Sequence, residues 1–152
     1  MTTGTIRTAV VTERVAWVRK MLEGIRNLPL AGYEQFVSDP RTPAAAESYL
    51  RRALEALLDL GRHVLAKGFA LAPAEYKEVA DELAKAAVLS EQAGALLRQM
   101  AGYRNRLVHF YHEVSQEELH LICSGRLSEI EFICEEILIW LKKHPEKTDT
   151  AI

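Results

Sequence analysis

The sequence predicts an all-α fold: an up-and-down bundle of about five helices forming a single domain over residues 1–152. Two observations carry this. Apolar residues recur at spacings of three and four in almost every segment, and no segment shows sustained period-two alternation, an internal repeat or a low-complexity tract.

From Thr8 to Asn27, the residues Val11, Val15, Val18, Leu22 and Ile25 form one apolar stripe, the mark of an amphipathic first helix. Pro29, Gly32, Pro40 and Pro43 punctuate the next stretch of chain, with room for a helical turn around Tyr33 to Val37. Thr42 before Pro43 reads as an N-cap with proline at the first helical position, and Gly68 as the matching stop. The long helix between them presents Leu50, Leu54, Leu57, Leu58 and Leu65 on one broad face. A third helix is expected from about Pro73 to Leu89. Ser90 then caps a fourth, through Leu96, Leu97, Met100, Tyr103 and Leu107. Ser115-Gln116-Glu117-Glu118 is a capping-box pattern. It opens a last helix defined by Leu119, Ile122, Ile130, Ile133, Ile137, Leu138 and Leu141, with a break allowed at Ser124-Gly125. The polar tail from about Pro145 is expected to fray.

The composition, 49% hydrophobic and 26% charged, is that of a globular domain, with no apolar run long enough to cross a bilayer. The first residues lack the apolar core of a secretory signal, so a cytoplasmic location is expected, without membrane. Cys123 and Cys134, eleven residues apart on what reads as one helix, are expected to be reduced and buried. A net charge of −2 argues against holding nucleic acid by bulk electrostatics, so any RNA contact must be local.

One stretch departs from the alanine- and leucine-rich background. Tyr103-Arg104-Asn105-Arg106-Leu107-Val108-His109-Phe110-Tyr111-His112-Glu113 gathers two arginines, two histidines and two tyrosines. Histidine exchanges protons near neutral pH and arginine is the natural fork for a phosphate, a pairing suited to phosphodiesters. On a continuous helix Arg104 and Tyr111 share a stripe, whereas His109 lies about 140° around the axis from Arg104. A site using both then needs a deformed helix or a second chain, and a two-fold axis beside this helix brings two copies together. One histidine from each chain can then serve as base and acid in metal-free RNA cleavage, with Arg104 on the scissile phosphate and Asn105 orienting it.

On the residues alone, alternatives stay open. His109 reads equally as a half-buried histidine bonded to a carbonyl, and Tyr103, Phe110 and Tyr111 as core or interface aromatics rather than a base-stacking platform. His109, His112 and Glu113 have helical spacing for a metal, yet no fourth ligand is placed and the zincin pattern is absent, so no metal site is assigned. His63, His120 and His144 read as surface or satisfied histidines.

Arg104-Asn105-Arg106-Leu107-Val108-His109-Phe110-Tyr111 fits an R-x4-H-x-Y signature and resembles the HepT toxins of the HEPN superfamily, helical ribonucleases of prokaryotic toxin–antitoxin pairs. The run from Arg51 to His63 is similar to that family's second-helix segment, and Pro73 to Tyr76 to the opening of its third, for coverage of roughly residues 5 to 143. The resemblance implies a toxin of a type VII (HEPN/MNT) system: a metal-independent, cofactor-free endoribonuclease with Arg104 and His109 of two protomers lining a homodimer cleft. Asn105 matches the polar residue that supports this arginine, Arg106 is taken as a second supporting residue, and RNA is expected in a dimer groove collecting Arg98, Arg104 and Arg106 from both chains. Tyr111 matches the tyrosine that the partner, a minimal nucleotidyltransferase antitoxin, modifies with AMP, placing a negative phosphate beside Arg104 to repel substrate. Arg106 and His112 are extra to the pattern; His112 reads as the bystander. The other reading is a non-catalytic HEPN module that binds or regulates that transferase. Intact Arg104, His109 and Tyr111 favour the nuclease, since a module freed from catalysis has no chemical reason to hold all three.

Overall fold

A computed structural model describes residues 5–149, with the side chain of Tyr111 outside the description. Seven α-helices occur among these residues rather than about five: α1 (Thr8–Arg26), α2 (Tyr33–Ser38), α3 (Arg41–Phe69), α4 (Tyr76–Lys85), α5 (Glu91–His109), α6 (Gln116–Gly125) and α7 (Leu127–Lys143). The difference has two sources. The turn at Tyr33 is a true helix whose Phe36 is fully buried, and Arg126, at φ −125° and ψ 8°, breaks the last segment in two. Cys123 and Cys134 therefore belong to different helices. Both are free and buried, and burial pushes their thiols up to about 12 and about 11.

The long α3, about 43 Å by its residue count, is the spine of the bundle. Leu50, Leu54, Leu57, Leu58 and Leu65 are all fully buried, as the periodicity predicts. α1 lies along one flank of α3, α4 and α5 along another, and α6 and α7 close the core with Ile122, Ile130, Ile133 and Ile137.

The ends of α3 differ from expectation. Thr42 is buried inside the helix, while Asp39 feeds the first turn by accepting from Arg41 N at 3.0 Å. Gly68 is likewise helical. A Cβ there would meet Ile6 Cδ1 at 2.9 Å, so Gly68 serves a close contact and Ala70, at φ 56°, makes the left-handed stop. The α4 segment is also shorter than Pro73 to Leu89, because the chain before Glu75 is not helical and Ala87 turns left-handed at φ 61°. Tight approach positions α4: a Cβ on Gly61 of α3 would stand 2.7 Å from Leu83 Cδ1. That approach brings Tyr76 against α3.

The segment 145–149 is pinned, not frayed. Ile6 N donates to Lys147 O at 2.8 Å, Asp149 N donates to Ile6 O at 2.9 Å, and Lys147 Nζ reaches Gly68 O at 2.8 Å. Residues 150–152 of the tail lie outside the described residues.

Candidate active site

The singled-out stretch lies at the C-terminal end of α5. Ser90 opens this helix as expected, its Oγ accepting from Ala93 N at 3.1 Å. The helix stops at His109: Phe110 leaves helical geometry at φ −136° and ψ 43°, and Tyr111–Glu113 form a 3-10 turn. This termination changes two expectations. Tyr111 does not share a helical stripe with Arg104, and His109, His112 and Glu113 do not share one helical face. Among the described residues, no group of three or more histidine, cysteine or acidic side chains is placed to hold a metal ion.

Arg104 points toward α3. Its Nε and Nη2 donate to Glu55 Oε2 at 3.0 and 2.8 Å, and Nη1 donates to Asn105 Oδ1 at 3.3 Å. Glu55 also accepts from Arg51 at 3.2 Å, so one carboxylate on the spine anchors two arginines. The Arg104 guanidinium lies over the Tyr76 ring, 4.8 Å from its centroid. Tyr76 is fixed in turn by donating to Asp59 Oδ1 at 2.8 Å. Burial and the Asp59 carboxylate push its phenol up, against the pull of Arg104 and Arg62, so it stays neutral at physiological pH.

Arg104, Asn105 and His109 line one open groove of about 540 Å³, together with Arg62, Glu75, Tyr76, Lys77 and Phe110. The angular divergence of Arg104 and His109 on the helical wheel is thus overcome within one chain. Arg104 is a long side chain, and His109 sits at the last helical residue, where the groove opens. His109 is exposed, and its ring packs edge-on against Phe110 at 6.4 Å.

Arg106, two residues on and about 200° around the helix, faces the other way. Its Nη1 and Nη2 donate to the two oxygens of Glu118 on α6 at 2.9 and 2.7 Å, and the guanidinium lies 5.6 Å from the Tyr103 ring. It lines a neighbouring groove of about 530 Å³ that shares Lys77, Asn105 and Phe110 with the first. Arg98 pairs with Asp81 of α4 and lines neither groove. Within one chain Arg98, Arg104 and Arg106 line no common groove; the expectation concerns a groove that two chains build together.

Four residues of this site carry no signal in the motif: Glu55, Arg62, Tyr76 and Lys77. Glu55 and Arg62 lie in the Arg51 to His63 run and Tyr76 ends the Pro73 to Tyr76 stretch, but neither segment tells which side chain faces Arg104; only the packing of α3, α4 and α5 brings them beside it. The remaining histidines are held elsewhere. His63 accepts from Arg7 N at 3.0 Å and is held below its usual pKa by burial first and then by Lys67, Arg7 and Arg14. His120 bonds Leu30 O at 2.9 Å, and His144 stacks on Trp140 at 4.4 Å.

Comparison with known proteins places the fold. A tRNA nuclease HepT from Aphanizomenon flos-aquae is 21% identical over 144 residues, 95% of this chain and 98% of that protein. Among solved structures, the tri-AMPylated HEPN toxin of Shewanella oneidensis, in complex with its MNT antitoxin, superposes with a TM-score of 0.78 at 21% identity. The match covers 86% of this chain and 97% of that one. YutE of Bacillus subtilis, a cytosolic protein of unknown function, gives 0.79 at 16% identity and covers 97% and 98%. These similarities show a common all-helical HEPN-like fold. The family model described as Ribonuclease HepT-like matches residues 18–137, most of the molecule, and the chain belongs to that family.

Proposed function

We propose that this chain is the toxin of a type VII (HEPN/MNT) toxin–antitoxin pair, a metal-independent endoribonuclease acting as a homodimer in the cytoplasm. The observation that carries the reading is the meeting of Arg104, Asn105 and His109 in one open groove. The names of the relatives support it: one is a tRNA nuclease, another a HEPN toxin bound to an MNT antitoxin.

In this reading, one imidazole removes the proton from a ribose 2′-hydroxyl. The 2′-oxygen attacks the adjacent phosphorus, and the bond from phosphorus to the 5′-oxygen breaks. The second protomer's imidazole protonates the departing 5′-oxygen, leaving a 2′,3′-cyclic phosphate and a free 5′-hydroxyl. Arg104 offsets the charge that builds on the phosphoryl oxygens. Glu55 and Asn105 hold it in place beforehand, so little reorganisation is needed as that charge develops. Tyr111, two residues beyond His109, is the residue that a nucleotidyltransferase antitoxin modifies with AMP. The added phosphate brings negative charge that repels the phosphates of RNA.

The test is cleavage of RNA by purified wild-type and His109→Ala protein with EDTA present, the product ends read by mass spectrometry. Cyclic phosphates from wild type, reduced at least about 100-fold in a folded mutant, are the expected result. No cleavage by wild type of intact unmodified mass would replace this reading with a non-catalytic HEPN module partnering the transferase.

A further inference from the structure

Resting on the nuclease reading above, we propose that Arg62 is a second RNA-binding residue of the groove, holding the phosphate adjacent to the one that Arg104 engages. Tyr76 is the platform that sets both guanidinium planes. Arg62 lies outside the R-x4-H-x-Y signature, and its contribution is visible only in the packed structure.

The two arginines share one ring. The guanidinium carbon of Arg62 is 4.7 Å from the Tyr76 centroid and that of Arg104 is 4.8 Å. The two cations therefore lie within about 10 Å of each other on one aromatic support. Neighbouring phosphorus atoms of a single strand are six covalent bonds apart, a reach of the same order. A strand whose scissile phosphate rests on Arg104 therefore brings its next phosphate to Arg62.

The donors of the two side chains are committed differently. Arg104 spends Nε and Nη2 on Glu55 and Nη1 on Asn105. Arg62 is poorly satisfied. Its Nη2 reaches Ala74 O at 3.5 Å, its Nη1 stands 4.0 Å from Asp59, and that same Asp59 oxygen already accepts from Tyr76 at 2.8 Å. Its Nε is buried with no partner among the described residues. Yet the side chain is 40% exposed and lines the groove. An arginine held over an aromatic ring, its donors underused and its side chain part-exposed, is completed by an anionic acceptor, and a phosphate matches its fork. Were Arg62 only a clasp between α3 and the segment before α4, its two contacts would sit well inside bonding distance.

The experiment uses the full chain and two RNAs. A single-stranded oligonucleotide serves for cleavage kinetics, and its 2′-O-methyl, fluorescein-labelled counterpart, which cannot be cleaved, serves for binding by anisotropy over a salt series. Arg62→Ala, Arg62→Gln and Arg62→Lys are compared with wild type, each checked for unchanged thermal unfolding. In Arg62→Ala and Arg62→Gln, KM and Kd are expected to rise about tenfold with kcat within about twofold. The slope of log affinity against log salt should flatten by about 0.7, the loss of one phosphate contact to a single strand. Arg62→Lys should regain the slope but only part of the affinity, because the charge returns without the fork. Unchanged KM and slope in a wild type that cleaves would overturn the Arg62 assignment alone, as would a loss confined to kcat. A wild type that neither binds nor cleaves either RNA would overturn the nuclease reading and this inference together.

Discussion

The two faces of the last turns of α5 make the same kind of contact and put it to different use. On one face Arg104 lies over Tyr76 and is tied to Glu55 of α3; on the other Arg106 lies over Tyr103 and is tied to Glu118 of α6. The first assembly borders a groove with further cations, Arg62 and Lys77, and the imidazole of His109. The second joins two helices, and its tyrosine is buried at 5% exposure with burial pushing the phenol far up. An arginine–carboxylate pair is therefore no mark of a site by itself. What distinguishes the Arg104 side is the imidazole of His109 on the same groove and a second guanidinium, Arg62, over the same tyrosine ring.

The largest effects should separate the two arginines. Arg104→Ala is expected to lower kcat by about 100- to 1,000-fold, the usual cost of removing one preorganised stabiliser of transition-state charge. It should cost only about 1–2 kcal/mol of stability, since the pair it breaks is part-exposed. Arg106→Ala should keep cleavage within about threefold of wild type, while losing about 1 kcal/mol or less from a pair 37% exposed on both sides. Steady-state cleavage beside denaturant unfolding reads both. Equal losses of activity would mean that the two faces form one site, joined across Lys77, Asn105 and Phe110.

The carboxylates sharpen the contrast at lower amplitude. Glu55→Gln keeps the shape but loosens Arg104, and should reduce kcat about tenfold with KM little changed. Glu118→Gln should leave kcat where it was. A drop in KM alone for Glu55→Gln would show that this carboxylate competes with substrate for the arginine, reversing its assigned role.

How much of the fold and the site was legible in the sequence depends on how local each signal is. Ser90 and Ser115 were readable as caps because an N-cap needs one side chain and the first turn beside it, and both serine oxygens accept as expected. The ends of α3 and α4 were not readable, because their left-handed stops are the alanines Ala70 and Ala87, where only glycine would have been a signal. Gly68 misled for the converse reason: it is there to admit Ile6. The site divides in the same way. Arg104, Asn105 and His109 stand within six residues on one helix and announce themselves. Glu55 is 49 positions from Arg104, and Tyr76 and Arg62 reach it through two further helices. Their contribution depends on the packing of α3, α4 and α5, which the periodicity implies only as a bundle.

The smallest expected effects concern the two tyrosines, and they test whether the faces differ in polarity as well as in chemistry. Tyr76 Oη donates to Asp59 at 2.8 Å, so Tyr76→Phe strips a carboxylate of a partner and should cost about 1 kcal/mol, a fall of about 2–4 °C in Tm. Tyr103 Oη is buried with no hydrogen-bond partner among the described residues. A hydroxyl desolvated without compensation opposes folding, so Tyr103→Phe should leave stability unchanged or raise it by up to about 1 kcal/mol. Thermal and denaturant unfolding of the two variants, compared at equal m, measure the difference. If Tyr103→Phe destabilises as much as Tyr76→Phe, an acceptor reaches Tyr103 in solution. The Arg106 face would then be a hydrated polar site like its neighbour, and the two would differ only in the His109 and Arg62 that border the first.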